Sequence, residues 1–455
     1  MTDAVALLMF PALLMLLLTG YPVAFALGGT ALTFTLLCSD LLPNAGIALP
    51  WDPIFRSARL NVLPQRIFGS IMNNYTLVAV PFFIFMGAML ERAGLAEELL
   101  RTMGRLFGRL RGGLAISVVA VGTLLAAATG VVGASVVAMA VLALPVMQKY
   151  GYDARLAAGT VTASGTLGQI IPPSIVLIIL GDQMGVNVGD LFLGALLPGL
   201  LLSFAFVAWI AVTAWVRPSL APALPRDDPE FTGESLARAV AMSLLPPLAL
   251  VAAVLGTIFF GVATPTEAGA MGALGALLLA LAKRRLGRAT LFGAAEAATS
   301  MTAMVFTILI GATAFATVFS AMGGTWLVED LLTGLPGGEL GFVFFVMLAV
   351  FLLGFFLDFI EITFIVVPLI APVAIDLGVD PLWLGVLIAL NLQTSFLTPP
   401  FGFALFYLRG AAPSSIATAD IYRGIVPFIG IQLVLLLVVA AFPSLVTWLP
   451  SIAAN

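Results

Sequence analysis

Two long apolar segments of the chain are each interrupted by a pair of adjacent prolines. Pro172 and Pro173 lie in the first segment, and Pro399 and Pro400 lie 227 positions later in the second. Tandem prolines remove two backbone donors and clash with the preceding turn, so neither segment can be one continuous helix. At membrane depth such a break is tolerated only where the freed backbone groups line a protein-walled or wet cavity. The sequence therefore predicts two broken helices at an internal site.

The two breaks belong to an internal repeat. The same offset relates Gly151 to Gly378 and Asp153 to Asp380, upstream of the prolines. Interrupted hydrophobic segments at corresponding positions of two halves are typical of secondary transporters and mark their binding site. The repeat therefore favours a transporter.

Composition excludes most other classes of protein. Of 455 residues, 61% are hydrophobic and 9% are charged, and the mean hydropathy is +1.15, which indicates a polytopic membrane protein. The chain has no histidine, which excludes histidine-based catalysis and metal ligation, and its only cysteine, Cys38, cannot form an internal disulfide. A net charge of −4 gives no reason to expect nucleic acid as a partner. With no nucleotide-binding loop and no nucleophile constellation, we expect no enzyme activity.

We predict an all-α fold with about ten transmembrane helices and two re-entrant hairpins, arranged as inverted repeats. The predicted regions are 1–74 (N-terminal scaffold helices and connection), 75–216 (first repeat: span, arm helix, cytoplasmic-side hairpin, broken helix, span), 217–295 (linker and two central scaffold helices) and 296–455 (second repeat, with a periplasmic-side hairpin). The hairpins are predicted at 113–148 and 340–376, where the apolar run is far longer than one helical crossing needs. Amphipathic arm helices are predicted near 95–111 and 326–332, and the last span at about 420–448.

The basic residues set the orientation. With the first arm helix on the cytoplasmic side, the cluster from Lys283 to Arg288 and most other basic residues fall inside, and only Arg56, Arg59 and Arg66 fall outside. Both termini then lie in the periplasm, and the two repeats start an odd number of crossings apart, so they are inverted. The sequence predicts a multi-pass protein of the bacterial inner membrane.

The hairpin tips and helix breaks are expected to meet near the middle of the membrane. Unwound carbonyls and small hydroxyls there suit a hard monovalent cation such as Na⁺. The candidate residues are Thr129, Gly130, Gly133, Ala134 and Ser135 on the first tip, Gly165, Thr166, Gly168 and Gln169 at the first break, Asp358 and Glu361 on the second tip, and Asn391, Gln393, Thr394, Ser395 and Thr398 at the second break. The alternative for the glycines and serines is close helix packing.

Two carboxylates stand in the second hairpin. A carboxylate within an apolar span costs about 2.5–3.5 kcal/mol on insertion scales, so it is expected to be functional. We predict that Asp358 coordinates or couples the cation. Glu361 lies three residues away on the same helical face and either shares that role or extends to the periplasmic rim. Asp153 and Asp380 are predicted to be helix caps.

Several motifs, in order along almost the whole chain, resemble the large membrane subunit (M, or DctM-type permease) of tripartite ATP-independent periplasmic (TRAP) transporters. They are Pro81–Gly87, Gly151–Asp153, Gly165–Gly168 with Pro172–Ser174, Ala263–Gly269, Leu357–Asp358, and Asn391–Gln393 with Thr398–Pro400. The resemblance implies an elevator fold of the ion-transporter superfamily, in which hairpins and broken helices move past a scaffold. It also implies Na⁺ symport of a small organic acid (a carboxylate), a small four-helix Q (DctQ-type) subunit and a periplasmic substrate-binding protein, the P subunit.

The resemblance also assigns ligands, with two or more Na⁺ ions expected. Residues predicted to bind Na⁺ are Gly130, Gly133, Ser135, Gly168 and Pro172 in the first half and Asp358, Thr398 and Pro400 in the second. Residues predicted to contact the substrate are Thr129, Ser135, Gln169, Ser174, Asn391, Gln393 and Thr394. The first tip, which runs from Thr129 to Ser135, is more similar to the 2-oxo acid, lactate and aromatic carboxylate branch than to the sialic-acid branch.

Two alternatives remain open. The chain is alternatively a self-sufficient, ion-coupled organic anion symporter or antiporter of the same superfamily that works without a binding protein. A third hypothesis is a membrane enzyme or assembly scaffold.

Overall fold

Nearly every part of the chain that the structure describes is helical. The computed structural model describes residues 2–45, 61–129, 132–225 and 235–453. The side chains of 126–129 are not described, and Gly130, Arg56 and Arg59 lie outside the described residues. The helices of the first half are α1 (Met9–Leu18), α2 (Val23–Leu36), α3 (Leu42–Asn44), α4 (Leu63–Arg66), α5 (Ala79–Arg92), α6 (Leu95–Phe107), α7 (Gly113–Thr129), α8 (Val132–Lys149), α9 (Ala154–Thr166), α10 (Ile175–Met184) and α11 (Val188–Val216).

The second half repeats this order after two central helices. Its elements are α12 (Leu236–Ala239), α13 (Leu245–Phe259), α14 (Pro265–Ala282), α15 (Arg288–Ala321), α16 (Gly324–Thr333), α17 (Gly338–Leu353), α18 (Phe359–Ile365), α19 (Val367–Asp376), α20 (Pro381–Leu397), α21 (Phe403–Ala411), α22 (Thr418–Ala441) and α23 (Ser444–Ala453). Six described helices are long and apolar enough to cross a membrane: α8, α11, the joined α12–α13, α14, α15 and α22. The bent pairs α5–α6 and α18–α19 also qualify when each is counted as one span.

The predicted caps and breaks are confirmed. Asp153 accepts hydrogen bonds from the backbone of Arg155 and Leu156, and Asp380 accepts one from Leu382, so each aspartate starts a broken helix. The helices stop short of the double prolines, because proline lacks the N–H that the next turn requires. One predicted boundary is wrong: the span expected at 420–448 ends at Ala441, before Pro443, and α23 follows as a separate helix packed on α11.

The packing of the two halves is reciprocal. Hairpin arm α7 packs on α9, and its counterpart α17 packs on α20. The broken helix of each half then packs on the closing span of the other, α9 on α22 and α20 on α11. At the α9–α22 crossing, a Cβ on Gly159 or Gly424 would overlap the facing backbone, so only glycine permits this approach. The two repeats thus form one intertwined unit around the breaks.

A second group of helices packs beside this unit. In it α5 contacts α14 and α15, and α15 contacts α2. Small residues allow the approach: a Cβ on Gly272 would lie 2.7 Å from the Met86 sulfur, and one on Gly269 would lie 3.2 Å from the Phe83 ring. These helices, called the scaffold group below (α2, α5, α14 and α15), flank the hairpins.

Arm helix α6 leaves α5 at an angle of 62° through Gly94, whose φ is +69°. Glu98 on this arm receives hydrogen bonds from Lys283 Nζ at 2.6 Å and Ser243 Oγ at 2.5 Å, which tie the arm to the central helices. Burial alone would raise the pKa of Glu98, but these hydrogen bonds and the charges of Lys283 and Arg285 outweigh it and lower that pKa. The partly buried ion pair fixes the arm. The arm also has acidic residues at its start and Arg105 in its last turn, the order of charges that the helix dipole favours.

Candidate functional site

The first helix break interrupts the backbone hydrogen bonds between α9 and α10. After α9, a single 3-10 turn covers Leu167–Gln169, and α10 begins at Ile175. Because Pro172 and Pro173 have no N–H, the carbonyls of Gly168 and Gln169 lose the donors of a continuous helix. The Ser174 hydroxyl donates to the Gln169 carbonyl at 2.9 Å and replaces one of them. The Gly168 carbonyl accepts none of the hydrogen bonds described outside the helices, as a predicted cation ligand requires.

The second break brings two carbonyls together. Gly402 follows the prolines with φ of +38°, a conformation that side-chain-bearing residues rarely adopt. A Cβ placed on it would lie 2.9 Å from the Phe396 oxygen and 3.1 Å from the Thr398 oxygen. These two carbonyls therefore converge on a space that only glycine leaves open. The Pro400 carbonyl accepts a hydrogen bond from the Tyr422 hydroxyl at 3.2 Å, which leaves it one lone pair for a cation.

One hydrogen bond joins the two breaks. Gln393 Nε2 donates to Thr166 Oγ1 at 3.2 Å, and the two residues are 227 positions apart, which is the offset of the internal repeat. A contact between two residues that the repeat relates to each other lies at the pseudo-two-fold axis. Both side chains are fully buried. The breaks therefore meet at the centre of the repeat unit, as the sequence predicts.

Three buried amide atoms at this centre have no protein partner. Both polar atoms of Gln169 and the Oε1 atom of Gln393 are buried without a hydrogen bond among the described residues. Leaving a buried polar group unpaired costs about 1–3 kcal/mol. Such groups are expected where a ligand completes the hydrogen bonds. Thr363, on α18 in the second hairpin, has a similarly buried and unpaired hydroxyl.

The tip of the second hairpin carries both carboxylates. Asp358 Oδ1 accepts the Phe359 N–H at 2.7 Å, Glu361 Oε2 accepts the Asp358 N–H at 3.1 Å, and together they form a capping box that starts α18. Glu361 is 9% exposed, so it does not extend to a solvated rim. No basic side chain of the described residues pairs with either carboxylate. The tip is therefore acidic within the part of the chain that the structure describes.

Tyr407 of α21 connects the two tips. A Cβ on Gly133, in the first tip, would lie 2.7 Å from the Tyr407 ring, and Tyr407 lines the same cavity as Phe355, beside the second tip. Ser135, at the end of the first tip, is buried. The hairpins thus approach each other across one aromatic side chain.

An aromatic cavity of about 360 Å³ opens beside this contact. Its lining residues are Phe355, Phe401, Phe403, Phe406 and Tyr407, which come from the second tip, the second break and α21. The rim is fixed by ring contacts, with the centroids of Phe356 and Phe401 5.0 Å apart. The cavity offers mainly aromatic edges and faces, with one phenolic hydroxyl.

Two further cavities lie between the scaffold group and the hairpins. One, of about 350 Å³, places Glu91 of α5 and Ser300 of α15 opposite Ala134 of the first hairpin. The other, of about 380 Å³, places Arg66 and Thr313 opposite Phe364 of the second hairpin. Each cavity therefore places one charged side chain, Glu91 of α5 or Arg66 of α4, opposite a hairpin.

Some of the residues predicted for the second break already use their polar atoms within the protein. Asn391 Nδ2 donates to the Met347 carbonyl at 2.6 Å, and Ser395 Oγ donates to that of Phe351 at 2.7 Å, so both tie α20 to α17. Thr394 Oγ1 donates to Leu390 of its own helix. The polar atoms of these three side chains therefore form hydrogen bonds within the protein, whereas Gln169 and Gln393 have buried polar atoms without a hydrogen bond among the described residues.

Sequence reasoning did not identify Tyr407, Thr363 or the aromatic cavity. Phenylalanine is abundant in the chain, with 33 residues, so its presence near the second break carried no signal by itself. The capping box at Asp358–Glu361 was recognisable from the acid–x–x–Glu pattern before an apolar run.

Comparison with known proteins identifies a common family. A family profile described as "Tripartite ATP-independent periplasmic transporter, DctM component" matches residues 10–445. The chain is 31% identical to the C4-dicarboxylate TRAP transporter large permease protein DctM of Vibrio cholerae over 99% of its own length and 98% of the relative. It is also 31% identical to the ectoine/5-hydroxyectoine TRAP transporter large permease protein UehC of Ruegeria pomeroyi, covering 98% of each chain. The crystal structure of the YdaH transporter of Alcanivorax borkumensis has the same fold, with a TM-score of 0.65 over 92% of this chain and 98% of the other, at 14% identity.

Proposed function

The chain belongs to the DctM component family of tripartite ATP-independent periplasmic transporters and is a large permease subunit of that class. We propose that it imports a small organic acid by Na⁺ symport. The observation that carries the proposal is the second hairpin tip. Asp358 and Glu361 stand there without a basic partner among the described residues, next to a helix break with converging carbonyls. A monovalent cation balances this charge and uses the carbonyls as ligands.

Two sodium sites follow from the two breaks. The first uses the tip from Gly130 through Gly133 to Ser135 together with the carbonyls of Gly168 and Pro172. The second uses Asp358 with the Thr398–Pro400 break, and the Gly402 geometry adds the Phe396 carbonyl to this set. Oxygen donors of this kind suit a hard cation, and the missing histidines exclude imidazole ligands.

The substrate is proposed to bind between the tips. Gln169 and Gln393 present unpaired amide atoms that suit a carboxylate or hydroxyl, and the aromatic cavity suits an apolar body. This combination favours a 2-oxo acid, lactate-like or aromatic carboxylate over a highly hydroxylated sugar acid. The relatives, whose names specify C4-dicarboxylates and ectoines, indicate that one fold serves several such substrates.

Import is proposed to proceed by an elevator motion. The repeat unit moves as a body past the scaffold group, carrying substrate and Na⁺ between the two faces of the membrane. The Arg66 cavity supplies a positive site for an anion on the outer side, and the Glu91 cavity lies at the first hairpin on the inner side.

The assembly and its location complete the proposal. The protein resides in the bacterial inner membrane with both termini in the periplasm. It works with a small four-helix membrane subunit and with a periplasmic binding protein that delivers the substrate. All the reported relatives are TRAP permeases, which disfavours a self-sufficient symporter.

The test is uptake by proteoliposomes that contain the chain with its small subunit and binding protein. Radiolabelled lactate, an aromatic 2-oxo acid and a C4-dicarboxylate are offered under an imposed inward Na⁺ gradient or an inward proton gradient. The proposal expects concentrative uptake of at least one of them with Na⁺ and with the binding protein. Equal uptake driven by protons alone, or uptake without the binding protein, would contradict it.

A further inference from the structure

A cavity on the flank of the repeat unit has no role in the proposed transport path. It measures about 460 Å³ and lies between α9, α11 and α22. Three arginines line it, namely Arg155, Arg217 and Arg423, along with Trp209, Val212 and Phe428. Neither hairpin tip and neither double proline contributes to it. The cavity is therefore separate from the substrate and Na⁺ sites.

The three arginines lie at one level. Arg155 is in the first turn of α9, Arg423 is near the start of α22, and Arg217 directly follows the end of α11. Each marks the same end of its helix bundle, the end that the charge distribution assigns to the cytoplasmic face. The cavity thus has a ring of positive charge at the depth of lipid headgroups.

The wall becomes apolar toward the membrane interior. Trp209 lies eight residues before Arg217, which is about 12 Å along a helix, and Phe428 lies five residues after Arg423, which is about 7 Å. A cationic rim with an apolar wall below it matches the headgroup and upper acyl chain of a phospholipid.

The positive charge is only partly compensated. Arg155 pairs with Asp420 at 3.0 Å, and Asp153 uses its carboxylate to cap α9. Arg217 and Arg423 are exposed, and neither forms an ion pair or side-chain hydrogen bond in the part of the chain that the structure describes. A net cationic cavity between transmembrane helices on the cytoplasmic side favours anionic headgroups.

We propose that this cavity binds an anionic phospholipid of the cytoplasmic leaflet, with the phosphate at Arg217 and Arg423 and one acyl chain along Trp209 and Phe428. The lipid stays with the moving repeat unit, because α9, α11 and α22 all belong to it. Zwitterionic lipid fits the same apolar wall but lacks the net charge that the rim selects.

The experiment measures lipid retention by the purified chain with its small subunit. Complexes are equilibrated in nanodiscs that contain equal amounts of dioleoyl phosphatidylglycerol and dioleoyl phosphatidylcholine, and bound lipid is counted by native mass spectrometry after release. The Arg217→Gln/Arg423→Gln double variant is expected to retain phosphatidylglycerol about 30-fold more weakly than the unaltered protein, because each basic residue contributes about fivefold. Arg284→Gln/Arg288→Gln, which removes two exposed arginines that do not line the cavity, is the matched control and is expected to retain it normally.

A second variant tests the apolar wall without changing charge. Val212→Trp is expected to fill the cavity and to displace phosphatidylglycerol, while monodisperse elution shows that the complex is folded. Equal retention by the arginine double variant and its control would overturn the proposal, as would equal retention of the two lipids by the unaltered protein. Competition by glycerol phosphate as strong as by the intact lipid would also overturn it, since the site would then bind a free phosphate. Substrate uptake driven by Na⁺ is a separate readout, so failure here does not imply failure of the transport function.

Discussion

Replacing Gly402 by alanine tests the cation cradle at the second break. The native φ of +38° costs a side-chain-bearing residue about 1–2 kcal/mol. The new Cβ would also lie 2.9 Å from the Phe396 oxygen, and real Cβ atoms essentially never approach another heavy atom more closely than 3.0 Å. At least one of the two converging carbonyls must therefore turn away. If 1.4 kcal/mol or more of this cost falls on the cation-bound state, the Na⁺ concentration for half-maximal uptake rises at least tenfold.

The assay is initial uptake by the reconstituted complex over a Na⁺ series, combined with the thermal midpoint of the purified complex. Gly410→Ala is the matched control, because Gly410 lies in α21, the helix that begins directly after Gly402, and nothing lies within 4 Å of the added methyl group. That control is expected to keep its Na⁺ dependence and to gain up to about 1 kcal/mol of stability from helix propensity. An unchanged Na⁺ dependence in Gly402→Ala, with a folded protein, would refute the assignment of these carbonyls to the cation.

Three further predictions follow from other contacts. Thr166→Val leaves Gln393 Nε2 without its buried acceptor, so the free energy of unfolding is expected to fall by about 1–3 kcal/mol. A thermal midpoint equal to that of the unaltered protein would count against this hydrogen bond between the two breaks. Gly133→Ala pushes a methyl group into the Tyr407 ring, so uptake is expected to fall at least tenfold and to recover in Gly133→Ala/Tyr407→Ala; no recovery would mean that the two tips do not meet there. Glu98 has a pKa below its ordinary value of 4.5, so its contribution to stability is present above pH 4.5 and is lost as the pH falls further. Below pH 4.5 the thermal midpoint of the unaltered protein is therefore expected to drop more than that of Glu98→Gln. Parallel curves of thermal midpoint against pH for the two proteins would contradict this.

The sequence located the breaks because proline acts locally. Two adjacent prolines remove two consecutive backbone donors, so Pro172–Pro173 and Pro399–Pro400 define the interruptions without knowledge of tertiary contacts, whereas a single proline such as Pro198 stands inside α11. The same holds for Asp153 and Asp380, whose capping role depends on the next two or three residues alone. Repetition at a fixed offset then identified the two halves.

The sequence did not reveal how distant segments share space. The aromatic cavity joins Phe355 to residues some 50 positions later, and no local pattern distinguishes these rings from those that pack or face lipid. The separate helix α23 was missed because a proline after Ala441 is as compatible with a kinked span as with a new helix. Asn391 was predicted to contact the substrate and Ser395 to belong to the second break. Their side chains donate hydrogen bonds that hold α20 to α17, and these contacts depend on the register of the two helices.

Sodium-dependent uptake by the Asp358→Asn variant, compared with uptake by Glu361→Gln, is the most direct test of whether Asp358 binds Na⁺. Both variants keep a polar side chain of the same size in the capping box of the second hairpin, so a purely structural role predicts similar behaviour for the two. If Asp358 binds Na⁺, Asp358→Asn folds normally yet loses uptake at every Na⁺ concentration, while Glu361→Gln retains Na⁺-driven uptake. Uptake by Asp358→Asn with the Na⁺ dependence of the unaltered protein would contradict it.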